Sequence, residues 1–366
     1  PGDIGDFTRV SMIDAGHFAP GVAYVAANRF QQDDFSPILY KTTDYGKSWS
    51  RIVTGIPGTE FTRAIREDSR KAGLLYAATE KGVWVSFDDG SHWQSLRRNM
   101  PSVPVHDLVV KDNDLVIGTH GRSFWIMDDI APLRQLTTGI ATRTTHLYKP
   151  SDAYRIDWGG GFGGGGGGYG GATPRGQNPP SGAVIYYHLK EPNTRVTLEL
   201  LDAKGTLIKS FNSDSSVGGP NVAAAMAAGD FETLMRSGPR PPRVPNKAGL
   251  NQFNWNLRYP DATRFPGMIF WAGNVTGPMA LPGTYTVRMT AGAETQAQTF
   301  VVKADPRWNV PMTDLVAQFD FLIKVRDRVS EANEAVLTAR DVKAQVADRL
   351  KQAPQLEGQG KALNGK

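Results

Sequence analysis

The chain has 366 residues, 40% of them hydrophobic, with 41 basic against 36 acidic side chains and no cysteine. The missing cysteines exclude disulfides, thiolate zinc sites and cysteine nucleophiles; the basic residues are scattered, which argues against nucleic acid as a partner. No apolar run reaches the roughly 20 residues that cross a bilayer, and a chain of this length is expected to bury more than one core.

The first third alternates short β-branched and aromatic runs with Gly, Pro and Asp turns. Strands are predicted over Val22 to Ala27, Ile38 to Lys41, Val83 to Phe87, Asp107 to Val110 and Leu115 to Ile117. Two turns share one pattern: Thr42, Asp44, Gly46 and Trp49 recur as Ser86, Asp88, Gly90 and Trp93. The aspartate suits capping of backbone N–H groups, the glycine a positive φ, and the tryptophan a clamp on the hairpin. This pattern resembles the Asp-box, or BNR repeat, of sialidases, some secreted glycoside hydrolases and sortilin-type receptors, where it is a structural turn.

The repeat extends beyond the box, at a period close to the roughly 40 to 45 residues of a four-stranded propeller blade. Phe7 to Val10 is echoed by Phe61 to Ala64, and Gly21 to Ala26 by Gly73 to Ala78. Thr79 to Asp89 is echoed by Thr119 to Asp129, with Ile130 where Gly90 stood. Residues 6 to about 138 therefore read as three blades. Three do not close a ring, and the chain opens at Pro1 directly before a strand. The expectation is a C-terminal portion of a longer polypeptide, whose remaining blades come from an upstream segment or another chain.

Residues 139–181 read as a linker with a Gly-rich loop, lacking the helix and Lys-Ser/Thr pair of a phosphate cradle. Residues 182–304 read as an immunoglobulin-like β-sandwich interrupted by an excursion over 212–248. In 305–366, Thr313 and Asp314 open a long helix. Its stripe from Leu315 and Phe319 through Leu322, Val325, Val329 and Val336 asks for a partner helix along 314–352. The fold class is thus mainly β: a partial propeller of about three four-stranded blades, a sandwich and a long C-terminal helix.

Functional candidates follow from blade geometry. Loops joining second to third strands emerge opposite the box turns, and a ligand site is expected on that face. It carries Arg29, Asp33 and Asp34 in an enlarged loop of blade one, Glu80 and Lys81 in blade two, and His120 and Arg122 in blade three. An imidazole beside a guanidinium suits a carboxylate or phosphate. His106 and Asp107 open the innermost strand of blade three and read as structural, as do Asp44 and Asp88. No cluster has metal-ligand spacing, no cofactor is indicated, and no Ser/His/Asp elbow is visible.

Together, Lys41 to Trp49, Gly73 to Gly90, Thr119 to Asp129, Pro132 to Leu136, Trp255 to Pro260, Pro282 to Thr286 and Asp305 to Arg307 resemble a family of large bacterial envelope or secreted proteins. That family goes by the names BNR-repeat glycosyl hydrolase and sortilin-like propeller protein. The resemblance implies a secreted, periplasmic or outer-envelope location but no established reaction, because the Asp-box is not catalytic. The leading expectation is a non-catalytic propeller binding a peptide, glycan or protein partner. The alternatives are a glycoside hydrolase, which needs two suitably spaced carboxylates, and a structural subunit of a surface assembly.

Overall fold

The computed structural model describes residues 4–156, 178–214, 242–265, 267–268 and 273–352. The Gly-rich loop, most of the 212–248 excursion and the tail after 352 lie outside the described residues. The chain forms two compact units, 1–137 and 138–366.

Unit one contains three antiparallel sheets in strict chain order. Blade one is β1 (Arg9–Ala15), β2 (Ala23–Arg29), β3 (Asp34–Thr42) and β4 (Ser50–Arg51). Blade two is β5 (Thr62–Glu67), β6 (Leu75–Thr79), β7 (Gly82–Ser86) and β8 (Gln94–Ser95). Blade three is β9 (Val105–Lys111), β10 (Asp114–Thr119) and β11 (Phe124–Met127). It has no fourth strand among the described residues; helix α1 (Ala131–Gln135) follows instead. Its anchor is Arg134, whose guanidinium holds the buried Asp68 of blade two and the carbonyl of Asp112.

The sheets stack face to face, as propeller blades do. Tyr24, Ala26 and Leu39 of blade one pack on Ile65, Leu75, Ala77 and Trp93 of blade two. On its other face, blade two buries Tyr76, Ala78, Val83 and Val85 against Leu108, Leu115 and Ile117 of blade three. β6 is therefore buried on both sides, which explains its dense apolar composition. Polar side chains stitch the first strands together: Arg66 of β5 reaches Asp14 of β1 at 2.9 Å and the Leu108 carbonyl of β9 at 3.1 Å. The buried Thr62 hydroxyl bridges the Ala27 and Ile38 carbonyls of blade one.

Strand pairing revises two of the sequence alignments. Met12 pairs with Ala26 as Ala64 pairs with Ala78, so Ser11, not Arg9, is the counterpart of Arg63. The β10–β11 turn holds one residue more than the β6–β7 turn, since Gly118 pairs with Phe124 where Ala78 pairs with Val83. Trp125 is thus the counterpart of Trp84. Ile130, whose N–H bonds to Asn113 as that of Asp89 bonds to Gly73, stands at the position of Asp89 rather than Gly90.

Unit two is a sandwich. One sheet orders β12 (Thr145–Leu147), β14 (Ala183–Leu189) and β17 (Gly249–Trp255). The other orders β13 (Ala153–Arg155), β19 (Glu294–Ala304), β18 (Gly283–Ala291), β15 (Val196–Leu201) and β16 (Leu207–Asn212). A short helix, α2 (Thr138–Ala141), precedes them. β12 and β13 fall in the stretch that reads as linker; at three residues each they are too short to show a period, and pairing alone creates them. Trp255 fills the core against Tyr285 and Phe300 at ring distances of 5.6 and 6.3 Å.

Helix α3 (Met312–Gln352) is a single long helix. The chain's own loop lies along part of it: Tyr259 meets Phe319 edge-on, Asn333 and Ser330 bond the backbone of Thr263, and Arg340 stacks over Phe265. The row through Leu322, Val325 and Val336 stays exposed.

Candidate functional site

The two box turns are built alike. The Thr42 hydroxyl donates to Asp44 and accepts from the Gly46 N–H, both at 2.9 Å, and Asp44 accepts from the Ser48 N–H and hydroxyl. The Ser86 hydroxyl, Asp88, Gly90 and His92 repeat this, with His92 in the role of Ser48. Both turns need left-handed backbone, at Tyr45–Gly46 and Asp89–Gly90. Side-chain and backbone hydrogen bonds from Ser48 hold the Asp44 carboxyl down at about 2. Burial would raise Asp88, and the bonds from His92 and Ser86 outweigh it, so this carboxyl too lies below its ordinary value. Each acid spends its lone pairs on its turn. The tryptophans diverge: Trp49 bonds the Gly46 carbonyl within its own turn, whereas Trp93 is buried and reaches the Ile52 carbonyl of blade one.

On the opposite rim, three loops carry the remaining candidates. In blade one a 3-10 turn over Phe30–Gln32 ends at Asp33, which is exposed and left-handed at φ 56°. Asp34 accepts the Ser36 hydroxyl and N–H, which lower its carboxyl, and lies 3.8 Å from Arg29. Arg29 and Asp34 thus serve their own loop, and Asp33 shapes it through its backbone.

In blade two, Glu80 receives both Nε (3.1 Å) and Nη2 (2.6 Å) of Arg63, while Lys81 is exposed and reaches the Thr59 hydroxyl. In blade three, His120 is exposed and its ring stacks on His106 at 5.1 Å; its backbone N–H donates to the Pro104 carbonyl. Arg122 is exposed and bonds only locally, to the Gly121 carbonyl at 3.3 Å.

The structure brings Glu80 and His120 toward a common place and leaves Arg29, Asp33 and Asp34 in a separate loop. What joins them is a feature that sequence reasoning passed over. Each first strand carries a β-bulge at the same position, and the unpaired residues are Ser11, Arg63 and His106. The bulges re-aim these residues at the rim end of adjacent edge strands. Arg63 is clamped between Glu80 and the rings of Phe61 and Phe30, with its guanidinium carbon 4.8 and 5.8 Å from their centroids. Burial, then Arg63 and His120, and more weakly Arg9, push the His106 imidazole below its ordinary value, against the opposing pull of Glu80. In the sequence, Glu80 and His120 are nominated from their loops, His106 reads as structural, and Arg63 appears only within the Phe61-Thr62-Arg63 echo.

Glu60 and Glu80 are the rim acids of blade two, and both are engaged: Glu60 accepts from the Trp84 indole and the Thr79 hydroxyl, Glu80 from Arg63. Among the described residues no group of three His, Asp or Glu side chains could hold a metal ion, and no helix is long and apolar enough to cross a membrane.

No protein-family model and no curated protein matches the chain. Solved structures do. An ancestral GH74 enzyme matches at 18% identity and a TM-score of 0.26, over 31% of this chain and 14% of its own. The GH74 xyloglucanase from Xanthomonas campestris matches at 13% identity and 0.27, over 39% of this chain and 25% of its own. A structure of YCF48 bound to D1 peptide matches at 19% identity and 0.26, over 33% and 37%. The chain thus spans well under half the length of each. The class of protein rests on the blades themselves: a partial β-propeller joined in sequence to a β-sandwich.

Proposed function

We propose that this is a non-catalytic β-propeller protein of the bacterial envelope or secreted fraction, which binds a peptide, glycan or protein partner on the loop rim opposite its box turns. One observation carries this reading: the repeated bulges gather Arg63, His106 and His120 at one place, while Glu60 and Glu80 of the rim and Asp44 and Asp88 of the box turns are committed to structural bonds. The location draws its support from the motif resemblance.

The outer face of blade three favours completion by further blades, from an upstream segment or another chain. Val109, Phe124 and Ile126 are 45%, 80% and 57% exposed there, whereas Val83 and Val85, the counterparts of Phe124 and Ile126, are buried beneath blade three. An uncovered apolar patch of this kind marks an interface.

The test is to screen the protein against peptide and glycan arrays, then map any ligand by hydrogen exchange. Protection over 30–34, 80–81 and 119–123 supports the reading. Protection confined to the box turns, or turnover of a glycan, overturns it.

A further inference from the structure

We propose that Arg9, Arg63, His106 and His120 form a docking site for the side-chain carboxylates of an acidic peptide. The inference rests on the loop-rim reading above and names the chemistry of its ligand.

The geometry supplies the first argument. Arg63 is immobile before any ligand arrives, because Glu80 takes two of its donors and Phe61 lies under its plane. A guanidinium held in this way loses little side-chain entropy on binding. His106 leaves the ladder at its bulge and is exposed, and His120 stacks on it from the neighbouring turn, so the two imidazoles form a pair at the rim end of β9, the strand beside the β5 that carries Arg63. Arg9, on the first strand of blade one, is exposed as well, and it pairs with Asn28, whose amide donates to the carbonyl of Thr62 next to Arg63.

Charge supplies the second. Glu80 offsets the charge of Arg63, while Arg9 adds a second permanent cation and the two imidazoles add ring N–H donors. The field is strong enough at His106 to disfavour its protonation beyond the effect of burial. An arriving carboxylate reverses that balance, because it accepts charge-assisted hydrogen bonds from the same groups.

The surroundings choose between an acidic peptide and an acidic glycan. Sugars dock on open aromatic faces, but the rim tryptophans Trp84 and Trp125 are half-buried, with their indoles bonded to Glu60 and to the Arg122 carbonyl. Phe35 is exposed beside the cluster, 6.1 Å from Phe61, and suits an apolar side chain flanking the acid.

The experiment is fluorescence anisotropy on the whole chain with three labelled probes: a peptide alternating Glu and Val, its Gln-Val counterpart, and an oligogalacturonate. The Glu peptide is expected to bind and to weaken with salt, the other two to bind at least about tenfold more weakly. Arg9→Gln and His106→Asn are each expected to weaken the Glu peptide by roughly tenfold, the scale of one charge-assisted bond. Lys47→Gln, in a box turn, leaves it unchanged. Arg63 is spared, since its removal strands Glu80.

Equal binding of the Gln peptide overturns carboxylate recognition, and preferential binding of the oligogalacturonate overturns the peptide class. Glu-peptide binding that ignores both Arg9→Gln and His106→Asn overturns the site. If the Glu peptide does not bind, the inference fails; an array ligand whose footprint still falls on the rim then keeps the broader reading alive, and its absence removes both.

Discussion

The phenol of Tyr24, in the second strand of blade one, donates to Asp89 in the box turn of blade two at 2.8 Å, and Lys41 of blade one pairs with the same carboxylate. Burial first, and then the bond to Asp89 and the nearby Glu67 charge, push the phenol's pKa upward, so it stays protonated and keeps its proton for donation. The seam between blades is therefore polar at this rim and apolar in its centre. Tyr24→Phe is expected to cost about 1 kcal/mol, the net worth of one such bond. Urea unfolding should show a lower midpoint at constant slope; an unchanged midpoint would mean that the blades are held by their apolar faces alone.

The two box tryptophans should differ sharply. Trp93→Ala opens a cavity between blades and strands the Ile52 carbonyl, so a loss of about 3 to 5 kcal/mol is expected. Trp49 is only half-buried and bonds within its own turn, which predicts a smaller loss for Trp49→Ala. Thermal unfolding of the two variants side by side checks the ranking, and equal losses would refute an inter-blade role for Trp93.

Asp68 is fully buried and accepts from Arg134 and from the backbone of Arg70 and Lys71. Arg134→Leu leaves that carboxylate without its counter-charge, for an expected loss of about 3 kcal/mol. Asp68→Asn added to it should restore part of the loss, because the uncompensated charge goes. A double-mutant cycle measures the coupling directly, and additive effects would show that α1 is held by its apolar contacts instead.

How far the sequence could be read depends on what fixes each element. The box turns were legible because their bonds join residues at most four apart, as between Asp44 and Ser48. The blade strands were legible because burial on two faces imposes an apolar run. The bulges were not, since a single unpaired residue such as Arg63 or His106 leaves no mark on the hydrophobic pattern. Nor was the covering of α3, where the contacts are made by polar side chains such as Ser330 and Asn333 that an apolar stripe does not mark. The grouping of the rim candidates depended on the bulges, so single loops could be nominated and their convergence could not.

The Asp44 turn makes a prediction about pH. Its carboxyl is held at about 2 by hydrogen bonds from Ser48 and Thr42, below the roughly 3.9 of an unfolded aspartate. Because the folded value is the lower one, the turn's contribution to stability is fully present above the unfolded value and drains away as pH falls from about 4 through 2. A carbon-13 titration of the Asp44 carboxyl should therefore show a midpoint near 2, with the Ser48 amide shift following it. Ser48→Ala removes the largest cause and should move the midpoint upward; His92→Ala should do the same for Asp88, where the imidazole replaces the hydroxyl. A midpoint at the ordinary value in the unmodified protein would mean that the carboxylate does not hold its turn, and the structural assignment of both box aspartates would fall with it.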